Sequence, residues 1–274
     1  MGRMEMVPFT LAHAAAAYPF RRSRLILSAL IIGTFAPDLE FFLRFTPKGR
    51  FGHTVPGIFL FSLPVAFGVY CLFHAFVKEP LAALLPRVVR ERISIGANPV
   101  SLRRPLELIQ VLVSILAGAA THVLWDSFTH AGYWPYRHLP FLAASFFLPF
   151  VGEVHGYKVL QEASTLAGCV AVAFWFRHWV RTAPERREFA GARVPGAQVQ
   201  VVRFALPLMA LIAALVRAEL GDGFPTSPHL LEMWLGDFVV TAITLAWLGL
   251  LTWGFLLERL NPPRLARPAP GSIK

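Results

Sequence analysis

The stretch PLELIQVLVSILAGAATHVLWDSFTH, Pro105–His130, decides how the chain is read. A bilayer crossing needs about 20 mainly apolar residues in helical form, and this run supplies them. It then ends on three ionisable side chains. On a helix His122, Asp126 and His130 fall at i, i+4 and i+8, hence on one face. Preceding them, Ala117-Gly118-Ala119-Ala120 is small enough for another backbone to approach closely.

Working outward, Val55–Val77, Val159–Val180, Val201–Glu219 and Met233–Leu257 read as four further spans. The run Leu25–Phe45 is apolar but broken by Pro37, Asp38 and Glu40. Leu139–Val151 is too short to cross and reads as interfacial or re-entrant. The expected architecture is an all-α polytopic membrane bundle of about five spans, plus an N-terminal re-entrant or interfacial helical hairpin. Residues 1–160 are expected to form a metal-site membrane domain. Residues 161–274 would add further spans and a basic tail.

Composition agrees. Of the 274 residues 55% are hydrophobic and 15% charged, against roughly 25% charged in a soluble domain. That excludes a disordered chain, a coiled coil and an ordinary soluble enzyme. The net charge of +10 is divided among loops. Lys78–Arg104 carries six Lys/Arg, Arg177–Arg203 six and the tail from Glu258 four, whereas Ala131–Lys158 carries two and Arg217–Glu232 one. By the positive-inside rule the three basic segments are cytoplasmic, so the chain is expected to be a multi-pass protein of the cell inner membrane. Basic residues split among spans also argue against nucleic acid as a partner. The N-terminal region fits less simply. Arg21, Arg22 and Arg24 prefer the cytoplasm, which favours a crossing by Leu25–Phe45, whereas a shared site argues for a re-entrant segment. Cys71 and Cys169 sit in apolar runs and exclude both a disulfide framework and a thiolate zinc site. Ala36-Pro37-Asp38 gives no cleavage pattern after the apolar run Leu25–Gly33, so the start of the chain does not read as a signal peptide.

Ionisable groups in such a chain are costly and are functional candidates by default. His122 and Asp126 lie toward the outer end of their span, and their plainer reading is a hydrogen-bonded packing pair. His53 and Thr54 precede Pro56, with Thr54 as N-cap of the first span, so His53 stands at the same depth. Asp38 follows Pro37, where its plainer role is an N-cap. His13 lies in an Ala-rich segment, where its plainer role is a core histidine. Together His13, Asp38, His53, His122 and Asp126 have the donor types of a hydrolytic metal site. Imidazole with carboxylate suits Zn and its neighbours, with Mn also admissible, whereas Ca or Mg wants more oxygens. A carboxylate such as Asp126 can bridge two ions and help activate a water near neutral pH.

The N-terminal half also resembles known proteins, in the pieces Pro8-Phe9-Thr10-Leu11-Ala12-His13, Gly33-Thr34-Phe35-Ala36-Pro37-Asp38, Gly52-His53-Thr54 and His122-x-x-x-Asp126-x-x-Thr129-x-x-Gly132. It is similar to an uncharacterised family of bacterial integral-membrane proteins and to inner-membrane metal-dependent hydrolases. More distantly, the ligand order resembles that of bacterial zinc phospholipase C, over roughly residues 7–160. The resemblance implies a divalent metal cofactor, one or two Zn ions. Asp38, His53, His122 and Asp126 would hold one ion, and His13 with bridging Asp126 a second. Asp38 would double as catalytic base or metal anchor. His130 and His155 are second-rank candidates, because no His-x-x-x-Glu pair follows. The implied substrate is a phosphoester or lipid headgroup, met at the non-cytoplasmic face. The competing expectation is a non-catalytic transporter-like or scaffold protein with a structural or proton-relay His/Asp network. A relay would string its polar groups across the membrane, whereas here they gather at one depth. His74, His138, His178 and His229 read as polar interface residues, and Glu162 as a helix-start charge or a partner of a ligand histidine. Oligomeric state has no sequence signal.

Overall fold

The computed structural model describes residues 10–93, 104–149, 152–185, 194 and 196–260. The Pro-rich tail from Asn261 and most of the two internal basic loops lie outside them.

The described residues are predominantly helical. Among them, five helices are long and apolar enough to cross a membrane. They are α3 (Val55–Leu84), α4 (Pro105–Thr129), α5 (Gly156–Thr182), α6 (Gly196–Asp222) and α7 (Pro228–Leu260). Four of them extend a few residues beyond the apolar run expected, and α4 ends one residue short of it, at Thr129. In α3 the backbone widens into π-helical turns over Ile58–Ser62 and Phe73–Val77, shortly before Pro64 and Pro80 respectively. Proline has no N–H and clashes with the carbonyl four residues back, and a wider turn relieves both problems. The run Leu139–Val151 does not form one helix. After the short helix Pro140–Ala143 it becomes one arm of an antiparallel hairpin, β1 (Ser145–Leu148) with β2 (Gly152–His155).

Residues 10–38 form the re-entrant hairpin. A 3₁₀ helix, Thr10–Phe20, leads through a turn into α1 (Leu27–Phe35), and the 3₁₀ turn Ala36–Asp38 then opens α2 (Leu39–Arg44). The helix α1 runs parallel to α4 in a constant register. Ile26 N donates to Ser114 Oγ (2.9 Å), and Thr34 O accepts from His122 Nδ1 (2.7 Å). Midway, a Cβ placed on Gly118 would lie 2.3 Å from Leu30 O. Only glycine permits that approach, so the small-residue run of α4 is the seat of α1. The α4 face turned inward is a stripe of period 3.6, with Val111, Ile115, Gly118, His122, Asp126 and Thr129 all buried.

The register also locates the two ends of the hairpin. Its tip, carrying Arg21, Arg22 and Arg24, lies level with the early part of α4. There Ser28 Oγ meets His74 Nε2 of α3 at 3.1 Å, and Tyr18 packs edge-on against Trp175 of α5 at 5.2 Å. These partners belong to the halves of α3 and α5 nearest the basic loops. The other end of the hairpin brings His13 and Asp38 to the C-terminal half of α4. The basic tip and the site therefore occupy opposite ends of one segment.

Candidate metal centre

Local structure delivers each side chain to one point. Thr54 caps α3, its Oγ1 accepting from Gly57 N at 3.0 Å with Pro56 in the first turn, so His53 is held just outside that helix. Asp38 occupies the N-cap position of α2, yet its carboxylate makes no capping bond. It turns instead toward His53, with Oδ1 3.2 Å from Nε2.

Between them stands Gly52, clamped from three sides. Its N–H donates to Glu40 Oε2 (3.1 Å), its carbonyl accepts from Ser62 Oγ (3.1 Å), and a Cβ there would lie 2.4 Å from Pro37 O. Close contact of Gly52 with Pro37 is what places the next residues, His53 and Asp38, side by side.

Four donor atoms converge: Nε2 of His53, Nε2 of His122, Oδ1 of Asp38 and Oδ2 of Asp126. The two nitrogens are 3.2 Å apart. From His53 the carboxylate oxygens of Asp38 and Asp126 lie at 3.2 and 3.4 Å, and from His122 at 3.5 and 3.1 Å. Donors 2.0–2.1 Å from a tetrahedral ion lie about 3.3–3.4 Å from one another. Each carboxylate oxygen therefore forms, with the two imidazole nitrogens, a triangle of the size set by a small divalent cation. Two groups have metal-binding spacing among the described residues, Asp38 with His53 and His122, and Asp126 with His13 and His122.

The surroundings of these rings favour positive charge at the centre, carried by a proton on His53 when no cation is bound. His122 Nδ1 faces a backbone carbonyl, which only accepts, so the ring proton sits on Nδ1 and Nε2 presents its lone pair to the centre. Burial would depress His53, but hydrogen bonds to Asp126 and Asp38 outweigh it and raise its pKa to about 9. Burial likewise opposes ionisation of Asp38, and the His122 and His53 rings beside it hold the carboxyl below its usual range.

His13 flanks these four donors. Its ring stacks on His122 with centroids 3.9 Å apart, and its Nε2 lies 3.5 Å from Asp126 Oδ1. Burial and the nearby His122 push its pKa down to about 4, leaving a neutral imidazole. Asp126 Oδ1 is buried and makes no hydrogen bond. It is therefore a metal-donor atom still to be satisfied, facing His13.

The chain matches one family over residues 7–255, described as Domain of unknown function (DUF4184). The chain belongs to the DUF4184 family. The matched span takes in the N-terminal hairpin, all five cluster residues, four of the long helices and α7 up to residue 255, well past the residues 7–160 that carried the resemblance. No curated protein and no solved structure matches significantly, and nothing in the family description specifies an activity.

Other histidines of this DUF4184 chain lie elsewhere. His130 Nδ1 is 3.2 Å from the Asp126 carbonyl, and its Nε2 is 3.5 Å from Gln161 Nε2, so the ring ties the end of α4 to α5. His155 contacts Ser145 Oγ at 3.1 Å and stacks on Tyr157. Neither takes part in the two His/Asp groups with metal-binding spacing found among the described residues. His74 bonds Ser28 and His138 bonds the Trp134 carbonyl. Glu162 pairs with Lys158 one turn away on the surface of α5.

Glu40, Gly52 and the Thr34 carbonyl are the positioning groups that sequence reading passed over. A buried carboxylate two residues from Asp38 was the only available signal.

Proposed function

We propose that the protein is a membrane-embedded, metal-dependent hydrolase acting on phosphoester bonds. The observation that carries this reading is the convergence of two imidazole nitrogens and two carboxylate oxygens at 3.1–3.5 Å. That donor set and spacing fit Zn, and Mn less well, since Mn favours more oxygen ligands.

His53, His122, Asp38 and Asp126 would hold the principal ion. His13 and the second oxygen of Asp126 would serve another. A divalent ion supplies Lewis acidity and lowers the pKa of water. Asp38 is 1% exposed and held by both imidazoles, so of the two roles weighed for it, metal anchor is favoured over base. His13 is neutral at physiological pH and stands at the edge of the cluster, where its Nε2 can offer a lone pair to the second ion. The polar groups gather at one end of the bundle, which supports a site over a path across the membrane. With the basic loops cytoplasmic, that end faces the non-cytoplasmic side of the inner membrane.

The test is hydrolysis of bis(p-nitrophenyl) phosphate by purified protein in detergent. Hydrolysis is expected with Zn or Mn, with a loss of 100-fold or more after chelation and in His53→Ala. Metal-loaded protein with no hydrolysis above His53→Ala, on this substrate and on phosphatidylglycerol, would overturn the assignment.

A further inference from the structure

Beside the cluster runs an open cavity of about 620 Å³, within the usual range for a small-molecule site. It lies between the Thr10–Phe20 helix, the C-terminal half of α4 and the N-terminal half of α5. Its polar lining includes His13, Asp126 and Gln161. Its body is lined by small or apolar side chains such as Ala16, Leu124, Ala163 and Ala167. Two of the hydroxyls along it are already engaged: Thr121 bonds the Gly118 carbonyl, and Ser164 bonds the Gln161 carbonyl while accepting from Trp125 Nε1.

The lateral opening follows from how α5 packs. Of its 27 residues only Tyr157 and Gln161, both in its first two turns, are buried. The rest of the helix stands off from α4, and the gap is floored by the Ala-rich 3₁₀ helix. From Leu160 to Gly168 the groove follows α5 for about 12 Å at 1.5 Å per residue. It is flanked on both sides by spans, so an apolar occupant comes from the bilayer and not from water.

We propose that this groove holds one acyl chain of a membrane phospholipid, with the lipid phosphoester beside His13 and Asp126. The inference rests on the hydrolase reading and names its substrate class. Two features select this occupant over a partner helix. The groove runs along the spans, as lipid chains do. It is lined by His13 and Asp126 of the cluster, where an anionic headgroup would meet a bound cation. Asp126 is shared between cluster and groove, whereas Asp38 and His53 do not line the groove, so a bound lipid reaches the cluster from the His13 side.

The experiment is photolabelling in phosphatidylcholine vesicles with phosphatidylglycerol bearing a diazirine in one acyl chain. Labelled peptides are mapped by mass spectrometry, and metal content is measured on the same samples. Label is expected to concentrate in residues 12–16 and 160–168. In the double variant Ala163→Phe/Ala167→Phe it should fall there at least fivefold with metal content unchanged, because both alanines are exposed in the groove. In wild type, excess unlabelled phosphatidylglycerol should displace the label and diacylglycerol should not. Label spread evenly over the spans and indifferent to the double variant would overturn the proposal. Equal displacement by diacylglycerol would overturn the placement of the headgroup. Groove labelling in wild-type protein that binds no metal would support the groove while overturning the hydrolase reading. Even labelling of metal-loaded, active protein would overturn the groove alone.

Discussion

His122 Nδ1 donates to the carbonyl oxygen of Thr34 across 2.7 Å, so a candidate metal-binding ring on α4 is oriented by the backbone of α1. Neither helix can set the ring alone. The contact exists because Gly33 and Gly118 let the two backbones meet: a Cβ on either would come within 2.3 Å of a carbonyl oxygen on the other helix. Gly118→Val is therefore expected to push α1 away. The expected cost is about 1–3 kcal/mol of overpacking strain, with at least a tenfold fall in bound Zn. Gly68, which has open space where a Cβ would go, is the control. Gly68→Ala should leave both thermal midpoint and metal content unchanged.

The metal-free protein should be most stable near pH 6.5. His53 has a folded-state pKa raised to about 9. The stability it contributes is fully present below the unfolded value of about 6.5 and is lost as pH rises through 9. His13 is depressed to about 4. Between pH 6.5 and 4 the unfolded chain binds the proton that folded His13 refuses, so stability falls on acidification. Thermal unfolding in detergent with chelator should trace a bell. His13→Ala should flatten its acid flank and His53→Ala its alkaline flank. Flanks unaltered in both variants would contradict these assignments.

Much of this was legible in the chain because apolar surroundings make ionisable residues conspicuous. His122 and Asp126 stand one helical turn apart at the end of an apolar run, and His53 precedes a Thr-x-Pro helix start. What remained hidden acts through the backbone or through topology. The Thr34 carbonyl has no side-chain signature, and Glu40 reads only as a break in an apolar stretch. Loop-charge counting treats a segment as crossing or not crossing. It cannot register a hairpin whose basic tip lies at one end of the bundle and whose His13 and Asp38 lie at the other.

Glu40 is predicted to matter for metal affinity without being a ligand. Its carboxylate holds Gly52 N–H, buried beside His53, while also pairing with Arg44. Glu40→Ala leaves that N–H unsatisfied, at a cost of about 1–3 kcal/mol. It should weaken Zn binding about 10–100-fold, as loss of a supporting contact typically does. Competition with a chromophoric chelator reads this directly, and an unchanged Kd would show that Gly52 holds its place without Glu40.

The hairpin makes a topological prediction. A cysteine at Ser23, in the tip, should react with impermeant maleimide only from the side of the basic loops. A cysteine at Thr54 should react only from the other side. Labelling of both from one side would contradict the register of α1 along α4, since Ser23 precedes Ile26, which is level with Ser114.

The His53, His122, Asp38 and Asp126 donors are proposed to hold a divalent ion. The most direct measurement is metal content per chain of protein dialysed against buffered Zn, for wild type, His122→Ala and Asp126→Ala. At least one tightly bound ion is expected in wild type and less than one-tenth of that in either variant. No stoichiometric metal in folded wild-type protein, or unchanged content in both variants, would contradict this proposal.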